Sequence, residues 1–598
     1  MIVEAFIKKN VNVFILLLSF FVLWSCDIPE TQEVLDGIDS TASEDTADKT
    51  VSAAEDTSSP LIRETKQGLV MGKEAEDRAY AWLGVPYAKP PVGELRWRTP
   101  QDPDPWEGVL DTVAFGSYCV QYGNFISETD PEAYGEVCGS EDCLYLNIWR
   151  PKTNEKKLPV FVFLYGGGNF LGRGDLTVYD GMNLAVKTNM ITVTLNYRLA
   201  TFGFFAHPAV RTGDESEDSG NFGTLDIIKM LKWLNENIKA FGGDKDNITI
   251  SGQSAGALNV YSMMASPLAE GLFHRAIAFS GFPSASPMSG AEEGTGRIVN
   301  RLLKKDNYEI QGLSVINEEG MVVFDDLSDY LRSKTIEEVY DPNYSWISGV
   351  PLNGTRWINA SILGIIADGY VIPKDPKILF KKGEYNHVPF IAGNTTEELK
   401  LFLPMFFFGE NAEYAMIQGF DPDNPDVDIN DWLNPLFRLL LDLYDPLTDV
   451  INSLFELAAT DLSARGLSKH QDVYVYRFAW NDEPEPFDHY VGAGHAMDLP
   501  FVFGNFSTDP ESCTRFGWSE ENKENREALS DAMMTYYSQF ARTGDPNPPE
   551  SELPVWKPWT RRLGENERII FDSGGPYLEK DKQIKQGRLE TLARLIGL

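Results

Sequence analysis

From Leu158 to Leu164 the chain is an almost unbroken apolar run, the pattern of a central parallel strand buried on both faces. Further on, Ile227, Met230, Leu231, Leu234 and Ile238 recur at helical spacing, which predicts a helix packed by one face on a sheet. Ile248-Thr-Ile250 then alternates as a strand does, and Ala255 to Met264, rich in Ala, Leu and Met, reads as a helix directly behind it. Val388 to Asn394 is another short apolar segment, and it predicts a further buried strand. Strands and helices in this order predict an α/β fold with a large, mostly parallel sheet.

The ends follow different rules. Lys8 and Lys9 precede an apolar run from Val11 to Trp24 that is short for a bilayer span and fits the h-region of a secretory signal. It closes in Leu23-Trp24-Ser25-Cys26, which resembles the lipobox of bacterial lipoproteins. That resemblance implies a signal peptide over residues 1–25, lipidation at Cys26 and an exported, membrane-anchored protein of the periplasm or cell surface. Secretion after ordinary signal cleavage is the alternative. Residues 26–60 are rich in Asp, Glu, Ser and Thr and poor in aromatics. Such a stretch buries too little apolar surface to offset its ordering entropy, so a disordered acidic tether is expected. From Leu61 the composition becomes that of a folded domain, and residues 61–598 are expected to form one.

Overall charge narrows the partners. The formal net charge is −37, which argues against nucleic acid and anionic lipid headgroups; membrane contact is expected only through the anchor. No His/Cys/Asp cluster has metal-ligand spacing and no glycine-rich dinucleotide fingerprint follows a strand, so no cofactor is implied. With Cys26 set aside, Cys119, Cys138, Cys143 and Cys513 remain, and an exported protein keeps disulfides. Sequence alone does not choose among the three possible pairings.

The strongest chemical signal is Gly252-Gln253-Ser254-Ala255-Gly256, between the predicted strand and helix. Small residues on both sides let the chain turn sharply and lift the serine hydroxyl above the sheet. That hydroxyl becomes a nucleophile only when a neighbouring base removes its proton. The surrounding segment, from Phe241-Gly242-Gly243 through Gly256, resembles the type-B carboxylesterases, which include the cholinesterases. Glu141-Asp142-Cys143-Leu144-Tyr145-Leu146-Asn147-Ile148 resembles that family's second signature. The likeness extends from about Thr65 to Phe540-Ala-Arg-Thr-Gly-Asp-Pro-Asn547, so one domain spans nearly everything beyond the tether. It implies an α/β-hydrolase fold, with a single catalytic domain, and hydrolysis of small to medium carboxylic esters through an acyl-enzyme.

The same resemblance implies the site. Tyr165-Gly166-Gly167-Gly168 follows the apolar strand, and Gly167, Gly168 and Ala255 would supply oxyanion-hole NH groups, each worth roughly 3–4 kcal/mol at a developing oxyanion. Tyr165 and Gln253 are expected to contact substrate. Gln253 stands where cholinesterases carry Glu, and the Cys119–Cys143 segment holds no Trp, so choline esters are disfavoured. Of six histidines, His495 lies in Gly492-Ala-Gly-His495-Ala-Met-Asp-Leu-Pro, which resembles the family's histidine loop. Its imidazole suits a general base because its ordinary pKa is near neutrality. The triad acid, three residues after an Asn in the family, becomes Glu397; Glu398 replaces the family's following glycine and is the alternative. A Cys119–Cys143 disulfide is implied as well, while the sequence leaves open whether Cys138 and Cys513 form a second bridge. Phe402, Phe406, Phe407 and Phe408 either line an apolar pocket or pack the core. Two rivals share the fold: an adhesion protein without a working triad, and a lipase for long-chain acylglycerols.

Overall fold

The computed structural model describes residues 50–51, 59–340, 364–400, 417–421, 452–453, 455–560 and 566–580. The signal region, Cys26, nearly all of the tether and Phe402, Phe406, Phe407 and Phe408 lie outside them. Thr50–Val51, inside the expected tether, pairs antiparallel with Leu110 and Val109 at the edge of a small four-stranded sheet.

The large sheet has eleven strands: β1 (Lys73–Ala75), β2 (Ala79–Pro86), β3 (Tyr145–Pro151), β4 (Leu158–Leu164), β5 (Ile191–Leu195), β6 (Gly243–Gln253), β7 (Arg275–Phe279), β8 (Phe390–Thr395), β9 (Val473–Phe478), β10 (Glu567–Phe571) and β11 (Tyr577–Lys580). Their spatial order is β11-β10-β9-β8-β7-β6-β4-β5-β3-β2-β1. β5, β4, β6, β7, β8, β9 and β10 run parallel, while β3, β2, β1 and β11 are antiparallel additions at the two edges. In register, Val160 of β4 faces Ile191 on one side and Ile248 on the other. Every residue of β4 is buried, as its continuous apolar pattern requires of a strand covered on both faces.

Helix α1 (Phe222–Asn237) buries Ile227, Met230, Leu231 and Leu234, and Ile238 continues the stripe in the 3₁₀ turn that follows. Helix α2 (Ala255–Ala265) is buried along its whole length, its mostly apolar surface interrupted by Asn259, Tyr261 and Ser262. Helices α3 (Leu499–Phe503) and α4 (Lys523–Thr543) cover the sheet beyond it. Cys119 and Cys143 are disulfide-bonded, with Cα atoms 5.0 Å apart, as the resemblance implied. The second bridge is not formed. Cys138 and Cys513 are both free thiols, and burial beside Glu128 pushes the Cys513 thiol well up.

Candidate active site

Strand β6 passes directly into α2 through Ser254, which has φ 55° and ψ −122°, a backbone conformation outside the regions L-residues favour. The strain is held from both sides. Ser254 N donates to Phe279 O at 2.9 Å, and Ser254 O accepts from Leu258 N at 3.1 Å. A side chain on Gly256 would be forced to within 2.0 Å of Leu164 O, so the start of α2 sits directly on the end of β4. The half-buried serine therefore stands at a helix N-terminus, where unpaired amides favour negative charge.

The glycine loop leaves β4 beside it. Gly167 adopts φ +97°, and its carbonyl accepts from Phe170 N and Leu171 N at 3.0 Å, which curls the loop back on itself. Among the described residues, the amides of Gly167, Gly168 and Ala255 donate to no protein acceptor. Three such donors near one hydroxyl are the chemistry an oxyanion needs.

Tyr165 has a different place from the expected one. It is buried, its ring stacks on Tyr197 at 4.5 Å, its hydroxyl donates to Tyr197 O, and Tyr197 OH donates back to Tyr165 O at 2.8 Å. It fastens the glycine loop to the segment after β5. Gln253 is likewise buried, with Oε1 2.7 Å from where a side chain on Gly166 would begin, so it packs against the loop backbone.

The acid differs by one residue from the expectation. Glu398, fully buried, places Oε2 against His495 Nδ1 and accepts from Thr395 N through Oε1 at 2.8 Å. Glu397 instead clamps the histidine loop by its backbone: its NH donates to Ala493 O, and its Oε2 accepts from Ala493 N, both at 3.0 Å. Its Oε1 is 2.6 Å from Lys400 Nζ. The turn after β8 folds back on Thr395, and this brings the second glutamate to the imidazole.

Two neighbours carried no sequence signal of a role. Phe455 sits edge-on to the His495 ring at 6.3 Å, just before a π-helical turn over Leu457–Asp461, a feature that recurs at functional sites. Asp498 is fully buried three residues after His495; burial raises its carboxyl to about 6 against the lowering effect of a hydrogen bond from Tyr476. It stands inside the histidine motif, so its position was visible and its burial was not.

A sequence profile of the carboxylesterase family matches residues 59–430 and 442–584. The chain belongs to the carboxylesterase family. This esterase is 32% identical to the para-nitrobenzyl esterase of Bacillus subtilis, over 85% of its own chain and 94% of that protein. It is 30% identical to the acylcarnitine hydrolase of Mus musculus, over 89% and 90% of the two chains. Among solved structures, a thermophilic para-nitrobenzyl esterase matches with a TM-score of 0.68 at 29% identity, covering 89% of this chain and all of that one (100%). A Geobacillus stearothermophilus carboxylesterase matches with a TM-score of 0.66 at 28% identity, over 88% and 99%. The esterase thus has the α/β-hydrolase fold and is a carboxylic ester hydrolase.

Proposed function

We propose that this esterase cleaves small to medium carboxylic esters by two-step acyl transfer through Ser254, His495 and Glu398. The observation that carries the reading is the contact of the Glu398 carboxylate with His495 Nδ1, which leaves Nε2 as the ring position for proton transfer. His495 takes the Ser254 proton as Oγ attacks the ester carbonyl, and the carbonyl π pair moves onto oxygen beside the amides of Gly167, Gly168 and Ala255. Collapse expels the alcohol, which leaves with the proton from His495. Water then attacks the acyl-enzyme with the same histidine as base. Glu398 fixes the tautomer and stabilises the imidazolium without taking the proton.

The names of the relatives, para-nitrobenzyl esterase and acylcarnitine hydrolase, support an ester with an apolar part. The test is turnover of p-nitrophenyl esters of increasing acyl length, with Ser254→Ala as control. Activity that is lost in the variant and highest at short to medium chains is expected; a maximum at long chains would make the protein a lipase. No turnover by folded protein would remove the reading. The anchor is a separate proposal, supported by the basic and apolar N-terminal pattern: lipid labelling that disappears in Cys26→Ser is expected.

A further inference from the structure

His387 lies just before β8, and His470 just before β9, the parallel strand paired with it. Both imidazoles therefore sit at the N-terminal ends of these strands, whereas Glu398 follows β8 and Ser254 follows the parallel β6 at their C-terminal ends. The six residues of β8 separate the two ends by about 20 Å. The helix Pro376–Lys382 ends in Gly383, at φ +78°, and both histidines converge on that glycine. His387 Nε2 is 3.1 Å from Gly383 O, and the His470 ring lies so close over the glycine that a side chain there would begin 2.9 Å from Cε1. The two rings are exposed, 5.3 Å apart centre to centre and 19° from parallel. Tyr385 stands edge-on to His387 at 4.3 Å.

A carbonyl oxygen only accepts, so His387 Nε2 carries the proton and Nδ1 keeps its lone pair. Metal-binding histidines are held in this way: one ring nitrogen donates to a backbone carbonyl and the other is presented to the ion. The His470 ring makes no hydrogen bond among the described residues, so turning one of its nitrogens toward His387 breaks none. Two imidazoles on one tetrahedral Zn²⁺, with Zn–N of about 2.0–2.1 Å, have ring centres about 5 Å apart. The observed pair already has that spacing.

We propose that His387 and His470 form a two-histidine site for a divalent transition-metal ion, Zn²⁺ above all, which ties the turn at Gly383 to the loop before β9. Imidazole nitrogen suits Zn²⁺, Ni²⁺ and Cu²⁺, whereas Mg²⁺ and Ca²⁺ take oxygen ligands. Exposed Lys381, Lys382 and Lys469 flank the pair in sequence, so coordination and not bulk charge holds the ion. Among the described residues no third His, Cys, Asp or Glu completes a cluster, so water fills the other positions and the ion is exchangeable. The site is independent of the ester chemistry, which lies at the other end of the sheet.

The experiment is calorimetric titration of untagged, EDTA-treated and dialysed protein with ZnCl₂, with MgCl₂ as control, alongside thermal melts in the same salts. Wild type should take up one equivalent of zinc that magnesium does not replace, and at saturation Tm should rise by about 1–3 °C. His387→Gln and His470→Gln change exposed side chains, so their metal-free Tm should match wild type. Each variant alone should lose both the equivalent of zinc and the Tm shift, because one imidazole does not chelate. No zinc uptake by wild type, or uptake that persists in either single variant, would overturn the proposal. If a variant does not fold, protection decides in wild type: zinc should shield both His387 and His470 from diethyl pyrocarbonate, read by peptide mass spectrometry. Equal modification with and without zinc would overturn the site as well.

Discussion

Lys400 Nζ lies 2.6 Å from Glu397 Oε1, so the first of two adjacent glutamates is held by a lysine and the second alone reaches the His495 imidazole. This separates their roles by chemistry and not only by distance. Glu398→Gln should leave the fold intact and lower kcat on the order of 10³–10⁴-fold, because an amide neither fixes the tautomer nor balances the imidazolium. Glu397→Gln should keep kcat within about threefold and cost about 1 kcal/mol of stability, since its contacts are one partly exposed ion pair and backbone bonds. Steady-state kinetics of the two variants decide the register. If Glu397→Gln is the inactive one, the assignment of Glu398 is wrong.

That one-residue shift marks where sequence stops being sufficient. The buried strand over Leu158–Leu164, the stripe on α1 and the turn at Ser254 follow from local pattern, because each depends on neighbours close in the chain. Which of Glu397 and Glu398 points inward depends on how the turn after β8 folds back onto Thr395, and that is decided by the histidine loop about a hundred residues later. The burial of Tyr165 was hidden for the same reason: its stacking partner, Tyr197, comes from a different strand end. Asp498 was in plain view as a residue type, but its burial is a property of the packed sheet and helices.

The Cys119–Cys143 disulfide closes a loop of 24 residues by sequence separation. Loop-closure entropy puts its contribution at roughly 3–4 kcal/mol, subject to how much structure the unfolded chain keeps. A Cys119→Ser/Cys143→Ser double variant should therefore unfold at clearly lower denaturant, while Cys138→Ser, which breaks no bridge, should shift the midpoint little. Equal losses in the two would mean that the disulfide is not the constraint.

Arg198 and Asp226 make a buried, bidentate pair: Nε to Oδ2 at 2.8 Å and Nη2 to Oδ1 at 2.7 Å, with Arg198 N also donating to Oδ2 at 3.0 Å. The pair ties α1 to the segment that carries Tyr197, and through Tyr197 to the glycine loop. Asp226→Asn strands a buried guanidinium, so a loss of roughly 3–5 kcal/mol is expected in urea unfolding. Because the loop shares the same support, kcat should fall as well. A stability loss with unchanged kcat would show that the loop is held by other contacts.

Glu483 offers a test of burial acting through protonation. The fold buries it near Asp488, Glu397 and Asp482, and burial first, then those like charges, pushes its carboxyl well above the ordinary range. The sign follows from linkage. Below the ordinary carboxylate pKa, folded and unfolded chains both carry the proton, and Glu483 makes stability independent of pH. As pH rises past that value the unfolded chain releases the proton while the folded chain retains it, so folding loses stability until pH passes the raised value. Glu483→Gln has no proton to release and escapes the loss. Melting temperatures measured from pH 4 to pH 8 should accordingly diverge, with the variant gaining on the wild type as pH increases. Parallel curves would mean that Glu483 ionises normally inside the fold, and that solvent or a counter-charge reaches it.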